Sequence, residues 1–530
     1  MNPKLIKNAE WIVAILLSVT VLFLLVVRTA NAGALWRDEA ATLQLAQMPT
    51  VSDIAANFQH EAFPLPFPML VRSYITLFGA SDASVRWFGF TVGVAVLAIA
   101  WFNSRTRGES GPLLFPALFC LNATFLIWGT SLRGYGLGCL LLLLTLGLTV
   151  ATIRQPTPTN ALAATIASVA SVQIMVTSLP LIAAIAAAAF VVFVVKRQFR
   201  CATVVCGCAA LCALSFLPYL QAYLAADWTV VLKYPTTFSS LWDKLHLAFE
   251  GQSHLMGIFW YAAVPLIIFG AIWRVWTLRG QKPPADVHLL FFLISVAGLS
   301  IFSYYAFLRI LSYATRPWYY LPLLCTIAGT IDLIGGVLAH VLWIRIARLA
   351  FVIAALVLLP FTLSNSIRQR LSNIDLVAHK LEAEASPNDL IVLNPWNFAP
   401  SFYRYYHGLT PWITVPTMSE YRIHRYDLMK SKTMELDPLA EVRSAIRQRL
   451  LSGHRVWIVG GAQPRDENMP RLGPAPNPYF GWAGYMNFWS MELGSFLSAH
   501  AGAGEVVLGP DPGVNENENV PLVVAQGWQD

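Results

Sequence analysis

The sequence predicts a multi-pass α-helical membrane protein that carries a small α/β domain at its C-terminal end. Composition predicts the membrane part. Hydrophobic residues make up 56% of the chain and charged residues 12%, with a mean hydropathy of +0.56, whereas soluble domains carry about 25% charged residues. The order of segments predicts the second domain, because after residue 365 the long apolar runs give way to short apolar strands and polar helices.

Apolar runs long enough to cross a bilayer follow one another through the first part of the chain. A hydrocarbon core of about 30 Å needs about 20 apolar residues in helical form. On this criterion we expect about eleven spans, at 10–29, 84–102, 112–129, 135–153, 160–177, 179–195, 201–220, 256–277, 287–307, 318–338 and 347–364. The first run is longer than the core of a usual secretory signal, so we expect it to remain as an uncleaved helix.

Basic residues set the predicted orientation, because Lys and Arg in short loops stay on the cytoplasmic side. If the spans alternate, one side receives Lys4, Lys7, Arg105, Arg107, Arg154, Lys196, Arg197, Arg200, Arg274, Arg279, Lys282, Arg345 and Arg348. We therefore expect a protein of the cytoplasmic (inner) membrane with a cytoplasmic N-terminus. The net charge of +7 follows from this asymmetry and predicts no nucleic-acid partner, which would need a basic stripe on a soluble face.

With this orientation, the first outer loop (about 30–83) and the chain after residue 365 lie outside the cytoplasm. In the latter, LIVLNP (390–395), HRVWIVGG (454–461) and EVVLGP (505–510) predict strands, and AEVRSAIRQRLLSG (440–453) predicts a helix. We therefore expect residues 1–365 to form a transmembrane domain and residues 366–530 to form an extracytoplasmic (periplasmic or extracellular) α/β domain.

The first outer loop contains unusual charges for so apolar a chain. The stretch LWRDEAATLQLA (35–46) places Arg37, Asp38 and Glu39 directly after the first apolar run. Acidic groups gain nothing from anchoring at a membrane surface and are costly near hydrocarbon, so this pair indicates a function. Further along the loop, PMLVRSYITLFG (68–79) is apolar but too short to span the bilayer, so we expect an amphipathic helix in the interface.

Five more polar or aromatic residues accompany these charges in the first outer loop and at the outer ends of two predicted spans: His60, Glu61, Arg133 with Tyr135, and Arg316. Anchoring at the membrane surface also explains each arginine taken alone. Together with the carboxylates, however, they suit a substrate with an anionic head and a lipid tail. Arginine binds phosphate through charge-assisted hydrogen bonds, and a carboxylate accepts a proton from an attacking hydroxyl.

The motifs resemble the GT-C superfamily of polyprenyl-phosphate-dependent glycosyltransferases, in particular its bacterial protein O-mannosyltransferase and lipid A aminoarabinose transferase branch. WRDEAAT matches the Asp-Glu pair that opens the first outer loop of these enzymes. HEAFPLPFPML matches their acidic and proline-containing run imperfectly, with Phe63 where His is common and Leu65 in place of the second proline. SLRGYGL (131–137) and TRPWYYLPLL (315–324) resemble two later motifs that contain an arginine.

The resemblance implies a membrane glycosyltransferase of GT-C fold. It would transfer a hexosyl or pentosyl group from a polyprenyl-phosphate-linked donor to an acceptor hydroxyl, with inversion, at the outer face of the membrane. It implies Asp38 as general base, and Glu61 either as a residue that orients the acceptor or as a second catalytic carboxylate. The residues implied in substrate binding are Arg37, Glu39, His60, Arg133, Tyr135 and Arg316.

Metal use, acceptor and one alternative function stay open at this point. Asp38 and Glu39 are possible ligands for Mg²⁺ or Mn²⁺. The acceptor is a lipid, a glycan or a protein, and membrane lipid is a further expected partner. A lipid-linked glycan polymerase or ligase would share the same outer-face chemistry. A transporter or flippase is disfavoured, because the charges lie at the rim of the bundle and no internal repeat is visible.

Overall fold

The computed structural model describes residues 3–61, 63–106, 111–225, 236–277, 285–312, 315–466, 471–476 and 481–530. Three of the basic residues with a predicted cytoplasmic position, Arg107, Arg279 and Lys282, lie outside the described residues. The chain consists of a large helical part followed by a smaller part that contains a β-sheet.

Long apolar helices dominate the first part, because a helix satisfies its own backbone hydrogen bonds and can expose apolar side chains to lipid. In chain order the helices are α1 (Pro3–Asn31), α2 (Arg37–Ala46), α3 (Val51–Asn57), α4 (Pro66–Phe78), α5 (Asp82–Thr106), α6 (Gly134–Arg154), α7 (Pro158–Ile174), α8 (Leu179–Val195), α9 (Phe199–Ala225), α10 (Phe238–Glu250), α11 (His254–Thr277), α12 (Ala285–Leu311), α13 (Leu321–Val337) and α14 (Leu342–Arg368). Among the described residues, nine of these are long and apolar enough to cross a membrane: α1, α5, α6, α8, α9, α11, α12, α13 and α14. The chain is an integral membrane protein.

Nine of the predicted spans coincide with these helices, and the exact number of crossings stays a prediction. The prediction of one continuous helix over 112–129 is wrong. Two short segments replace it, with π-helical turns at Pro116–Cys120 and Phe125–Gly129. Between them Asn122 accepts a hydrogen bond from the Thr124 backbone at 2.7 Å and donates to the Ala248 carbonyl at 3.0 Å. The predicted span 160–177 corresponds to α7, which has only 17 residues.

The loop between α1 and α5 (residues 32–81, the first loop) is mostly helical. It contains α2, α3, a 3₁₀ turn at Phe58–Glu61 and α4. The short helix predicted at 68–79 is present as α4. Its Arg72 donates hydrogen bonds to the carbonyls of Ala46 at 3.1 Å and Met48 at 2.5 Å. These bonds cap the end of α2 and hold α4 against it.

The predicted C-terminal α/β domain is confirmed as a five-stranded sheet between two helical layers. Its elements are α15 (Ile374–Glu384), β1 (Leu390–Leu393), α16 (Ala399–Tyr405), β2 (Trp412–Thr414), α17 (Tyr426–Met434), α18 (Ala440–Leu451), β3 (Val456–Val459), α19 (Trp482–His500), β4 (Ala501–Leu508) and β5 (Leu522–Trp528). The strand order is β2-β1-β3-β5-β4. β1 pairs in parallel with β2 and β3, and β5 runs antiparallel to β3 and β4.

The central strands β1 and β3 are buried on both faces, as their uninterrupted apolar sequences predict. Side chains from α17, α18 and α19 form the core on one face of the sheet, and side chains from α15 and α16 form the core on the other. Helix α16 therefore packs against the sheet through its buried side chains. The side of the sheet that carries α15 and α16 faces the first loop, because α16 packs directly on α2.

Helix α16 attaches the α/β domain to the first loop. The Tyr405 hydroxyl accepts a hydrogen bond from the Leu35 backbone at 2.7 Å and donates one to Asp82 Oδ2 at 2.5 Å. The neighbouring Arg404 donates to Asp82 Oδ1 at 3.1 Å through Nε. The two ends of the first loop, before α2 and at the start of α5, are thus held by one turn of α16.

Candidate active site

The start of α2 determines where its two carboxylates point. Trp36 precedes the helix in an extended conformation, with φ −73° and ψ 165°. Its backbone N–H donates to Glu39 Oε2 at 3.4 Å, which occupies one of the amide groups left unpaired at a helix N-terminus. Acidic residues are also favoured there by the helix dipole. These interactions place Asp38 and Glu39 in the first turn, close to the bundle.

Asp38 lies among groups that carry or can carry positive charge. Its carboxylate oxygens are 3.8 Å from Arg37 Nε, 3.8 Å from Arg133 Nη2 and 4.0 Å from His424 Nε2. About a quarter of the side chain is exposed (26%). In the part of the chain that the structure describes, no hydrogen bond reaches these two oxygens. The carboxylate is therefore open to a hydroxyl group of a substrate.

Glu39 faces the interior instead. Its side chain is fully buried, and Oε1 accepts hydrogen bonds from Arg86 Nη1 at 2.7 Å and from the Leu132 backbone at 2.8 Å. A buried charge is retained only when such partners compensate for its lost hydration. Glu39 thus connects α2 with α5 and with the segment before α6. This position leaves no surface of Glu39 for the substrate contact that the sequence suggests.

Glu61 joins the first loop to the α/β domain. Its Oε2 accepts from Arg133 Nη1 at 3.0 Å, and its Oε1 accepts from the backbone N–H of His424 and lies 3.0 Å from the ring Nδ1 of the same residue. Burial raises the pKa of the Glu61 carboxyl, but the charges and hydrogen bonds of His424 and Arg133 outweigh burial and hold that pKa below its usual value. Both oxygens of Glu61 are engaged by these partners.

Arg133 reaches from the start of α6 across α2. Its guanidinium donates to the Asp38 carbonyl at 3.0 Å, to Thr42 Oγ1 at 2.8 Å and to the Glu61 carbonyl at 3.2 Å. It also lies 4.7 Å from the ring centroid of Phe63, a cation–π contact. Burial lowers the pKa of Arg133, but Asp38 and Glu61 outweigh this effect and raise it overall. A buried arginine that stays charged suits an anionic ligand.

Arg37 extends toward the α/β domain. Its backbone N–H donates to Glu518 Oε2 at 2.7 Å, and its guanidinium donates to the Asn517 carbonyl at 2.7 Å. Glu518 is buried and also accepts from Ser372 Oγ at 2.7 Å. Burial raises the pKa of Glu518 to about 7, although Arg37 acts in the opposite direction. The first turn of α2 is therefore held from both sides, by the bundle and by the α/β domain.

Three predicted site residues remain, and each lies on a different segment of the chain: His60, Tyr135 and Arg316. Nδ1 of His60 is 3.8 Å from Asp427 Oδ1 of α17, so His60 faces the α/β domain. Burial lowers the pKa of His60, although Asp427 acts in the opposite direction. Tyr135 is buried at the start of α6. Arg316 is exposed shortly before α13, and its positive charge acts on the Tyr319 hydroxyl.

Three further residues line the site without having been predicted: His424, Tyr319 and Tyr426. The negative charge of Asp38 acts on the hydroxyl groups of both tyrosines. Tyr319 belongs to the TRPWYYLPLL motif, so that motif offered a signal for it. His424 lies 363 positions from its partner Glu61, and no local sequence pattern connects residues so far apart.

Two of the three carboxylates in this cluster are paired with arginines. Mg²⁺ and Mn²⁺ require several oxygen ligands, but Glu39 is bound to Arg86 and Glu61 to Arg133. Asp38 remains, and the arginines near it would repel a cation. Within the described ranges, no group of three His, Cys, Asp or Glu side chains is arranged to hold a metal ion. A metal held by Asp38 and Glu39 therefore stays a prediction from the sequence.

Three of the solved structures that resemble this chain cover most of its length. ArnT from Cupriavidus metallidurans bound to undecaprenyl phosphate is 11% identical, with a TM-score of 0.48 over 96% of this chain and 97% of that one. ArnT from the same organism in the apo state is 10% identical, with a TM-score of 0.48 over 84% and 92%. The Archaeoglobus fulgidus oligosaccharyltransferase in complex with zinc and sulfate is 11% identical, with a TM-score of 0.47 over 84% and 67%.

Both kinds of protein belong to the GT-C superfamily. No family model matches the sequence, and no curated protein matches it at a significant level. At this level of likeness, the assignment of a function depends on the side chains around Asp38.

Proposed function

We propose that the chain is a glycosyltransferase that moves a sugar from a polyprenyl-phosphate carrier to an acceptor hydroxyl at the outer face of the cytoplasmic membrane. The observation that carries this proposal is the open carboxylate of Asp38 among arginines, at the end of an apolar bundle. A phosphate head would meet Arg133 and Arg316, while an isoprenoid tail would stay against the bundle. A water-soluble donor would need neither an isoprenoid tail nor an apolar bundle to bind it.

In the proposed reaction Asp38 is the general base. The acceptor hydroxyl gives its proton to Asp38 as its oxygen attacks the anomeric carbon of the donor. The bond from that carbon to the phosphate oxygen breaks, and its electron pair leaves with the phosphate. One such displacement inverts the anomeric centre. A positioned base contributes about 10²–10⁴ in rate.

The arginines act on the leaving group in this proposal. Charge builds up on the phosphate as the bond breaks, and a preorganised guanidinium stabilises that charge without reorganising. Arg133 is fixed by Thr42 and Glu61, so its orientation costs little at the moment of reaction. Arg316 is exposed and free to approach the phosphate from the entrance of the site. Glu61 acts by holding Arg133.

The orientation and the division into domains are part of the proposal. Its support is the side-by-side position of Arg133, Arg37 and the α/β domain at one end of the bundle, and the predicted cytoplasmic position of the basic loops. On this basis residues 1–365 form the catalytic membrane domain and residues 366–530 form the extracytoplasmic domain. The hexosyl or pentosyl nature of the sugar and a lipid, glycan or protein acceptor are the open choices within it.

The test is transfer of a labelled sugar from a panel of polyprenyl-phosphate sugars by the purified protein in lipid. Three proteins are compared: the wild type, Asp38→Asn, and Asp243→Asn as a matched control on the exposed side of α10. We expect the wild type and the control to turn over, and Asp38→Asn to lose about 10²-fold or more at an unchanged melting temperature.

The outcomes are distinct. A wild type that uses no donor of the panel would overturn the transferase assignment. Equal activity of Asp38→Asn and the wild type would leave a transferase but exclude Asp38 as its base. A product that keeps the anomeric configuration of the donor would exclude the single displacement.

A further inference from the structure

His424 brings a ring of the α/β domain between the two carboxylates of the first loop. Nδ1 lies 3.0 Å from Glu61 Oε1, and Nε2 lies 4.0 Å from Asp38 Oδ1. The side chain is only 4% exposed, and within the described residues Nε2 is buried without a hydrogen-bond partner. A buried polar atom without a partner costs free energy, so it indicates an atom that is used when substrate is present.

The neighbours of the ring determine which nitrogen carries the hydrogen. Glu61 accepts hydrogen bonds and cannot donate when ionised, and its interactions with His424 and Arg133 favour the ionised form. Nδ1 therefore keeps its N–H on Glu61. In the neutral ring Nε2 then has a lone pair that faces the carboxylate of Asp38. Two acceptors do not form a hydrogen bond with each other, which explains their separation of 4.0 Å.

We propose that His424 is a positioning residue for the base, and that it receives from Asp38 the proton that Asp38 takes from the acceptor hydroxyl. This inference rests on the proposed function. In the step, protonated Asp38 donates its O–H to the Nε2 lone pair and the proton moves to Nε2. Asp38 regains its carboxylate, and the imidazolium keeps its Nδ1–H on Glu61. The proton is lost to water before the next turnover.

The groups that face the ring support this direction of transfer. Asp38 comes from α2, Glu61 from the 3₁₀ turn before α4, and Arg133 reaches Glu61 from the start of α6. Tyr426, on the ring's own segment, stacks on it with centroids 6.0 Å apart. The two carboxylates stabilise a positive ring after the transfer. A carboxylate that orients a histidine and stabilises its protonated form in this way is a recurrent feature of catalytic sites.

Two amide substitutions separate proton exchange from a purely structural contact. In His424→Asn the amide reaches the place of Nδ1 and still donates to Glu61, but nothing stands in the place of Nε2. In His424→Gln the amide reaches the place of Nε2 but takes up no proton. His379→Asn is the matched control, because His379 is 74% exposed on α15 of the same domain. All are compared by kcat, donor KM, melting temperature and the pH profile of kcat, with the full-length protein in lipid.

We expect the wild-type kcat to fall on the acid side of its pH profile, because a ring that already carries a second proton cannot receive the proton from Asp38. Both His424 variants should lose this acid limb and about tenfold in kcat, with donor KM within about twofold and the melting temperature of the wild type. The control should behave as the wild type.

Three results would overturn the inference while the transferase assignment stands. The first is a wild-type profile without an acid limb between pH 5 and 8. The second is wild-type kcat in either folded His424 variant. The third is a lower kcat with an unchanged acid limb, since that pattern belongs to a structural contact. Failure of the proposed function itself would show earlier, as a wild type that uses no donor.

Discussion

Asp38 and Glu39 are neighbours in the sequence, yet their carboxylates interact with different arginines. Glu39 Oε1 accepts from Arg86 at 2.7 Å inside the bundle, whereas Asp38 Oδ2 lies 3.8 Å from Arg133 at the open end of the site. Successive helical residues point about 100° apart, so the first turn of α2 separates the pair. Glu39 therefore pairs inside the bundle, and Asp38 is the carboxylate that we propose as the base.

Glu39→Gln should destabilise the protein much more than Asp38→Asn. The substitution leaves the guanidinium of Arg86 buried without its charged partner, which costs about 3–5 kcal/mol. Thermal unfolding of both variants in the same detergent measures the difference. A melting temperature of Glu39→Gln equal to that of the wild type would show that Arg86 finds another partner.

Arg133→Lys should lower kcat/KM for the donor by about 10- to 100-fold. An ammonium group keeps the charge, but it cannot hold Thr42, Glu61 and a phosphate together as the planar guanidinium does, and each charge-assisted hydrogen bond is worth about 1.5–3 kcal/mol. The matched control is Arg443→Lys, since Arg443 pairs with Asp437 on the surface of the α/β domain. Equal losses in both variants would point to a general effect of the substitution.

Glu518 should make the protein less stable as pH rises from about 4.5 to about 7. Its pKa is raised from 4.5 to about 7 by burial, so in this window the folded state binds the proton and the unfolded state does not. The contribution of protonated Glu518 to the free energy of unfolding is full below pH 4.5 and is lost as pH rises through 7. It amounts to about 3 kcal/mol.

The measurement is the melting temperature at several pH values for the wild type and Glu518→Gln. The variant has no titrating group at this position, so its melting temperature should change less across the window. Parallel curves for the two proteins would assign the pH dependence to other groups.

Tyr405→Phe should loosen the contact between α16 and the first loop. It removes the acceptor for the Leu35 backbone and the donor to Asp82, and a buried group left without its partner costs about 1–3 kcal/mol. We expect a lower melting temperature and a lower transfer rate. Tyr403→Phe is the control on the same helix, because Tyr403 is 47% exposed; a surface change should stay within about 0.5 kcal/mol.

The sequence predicts the helices well because apolar length alone decides whether a segment can cross lipid. It fails at 112–129, where one side chain, Asn122, divides an otherwise apolar run by bonding to α10. Strands β1, β3 and β4 fall on segments predicted as strands, since short apolar runs between polar turns are typical of a buried sheet.

For the site, local motifs led to Asp38 and Arg133 because both stand out against apolar surroundings. Their partners were not predictable in the same way. Arg37 binds Glu518, which is 481 positions away, and Glu61 binds His424. Such pairs are set by how α16 packs on α2. No periodicity or spacing in a single sequence contains that information.

The long sequence separation of Glu61 and His424 has a consequence for biosynthesis. A ribosome that has completed the last bundle helix has not yet made His424, Tyr405 or Glu518. At that stage Glu61 contacts Arg133 but not His424. The first turn of α2 is not yet covered by the α/β domain. The membrane helices can be inserted one after another before any residue of the α/β domain contacts Asp38 or Glu61. The contacts around Asp38 are complete only after the α/β domain has folded and α16 lies beside Leu35.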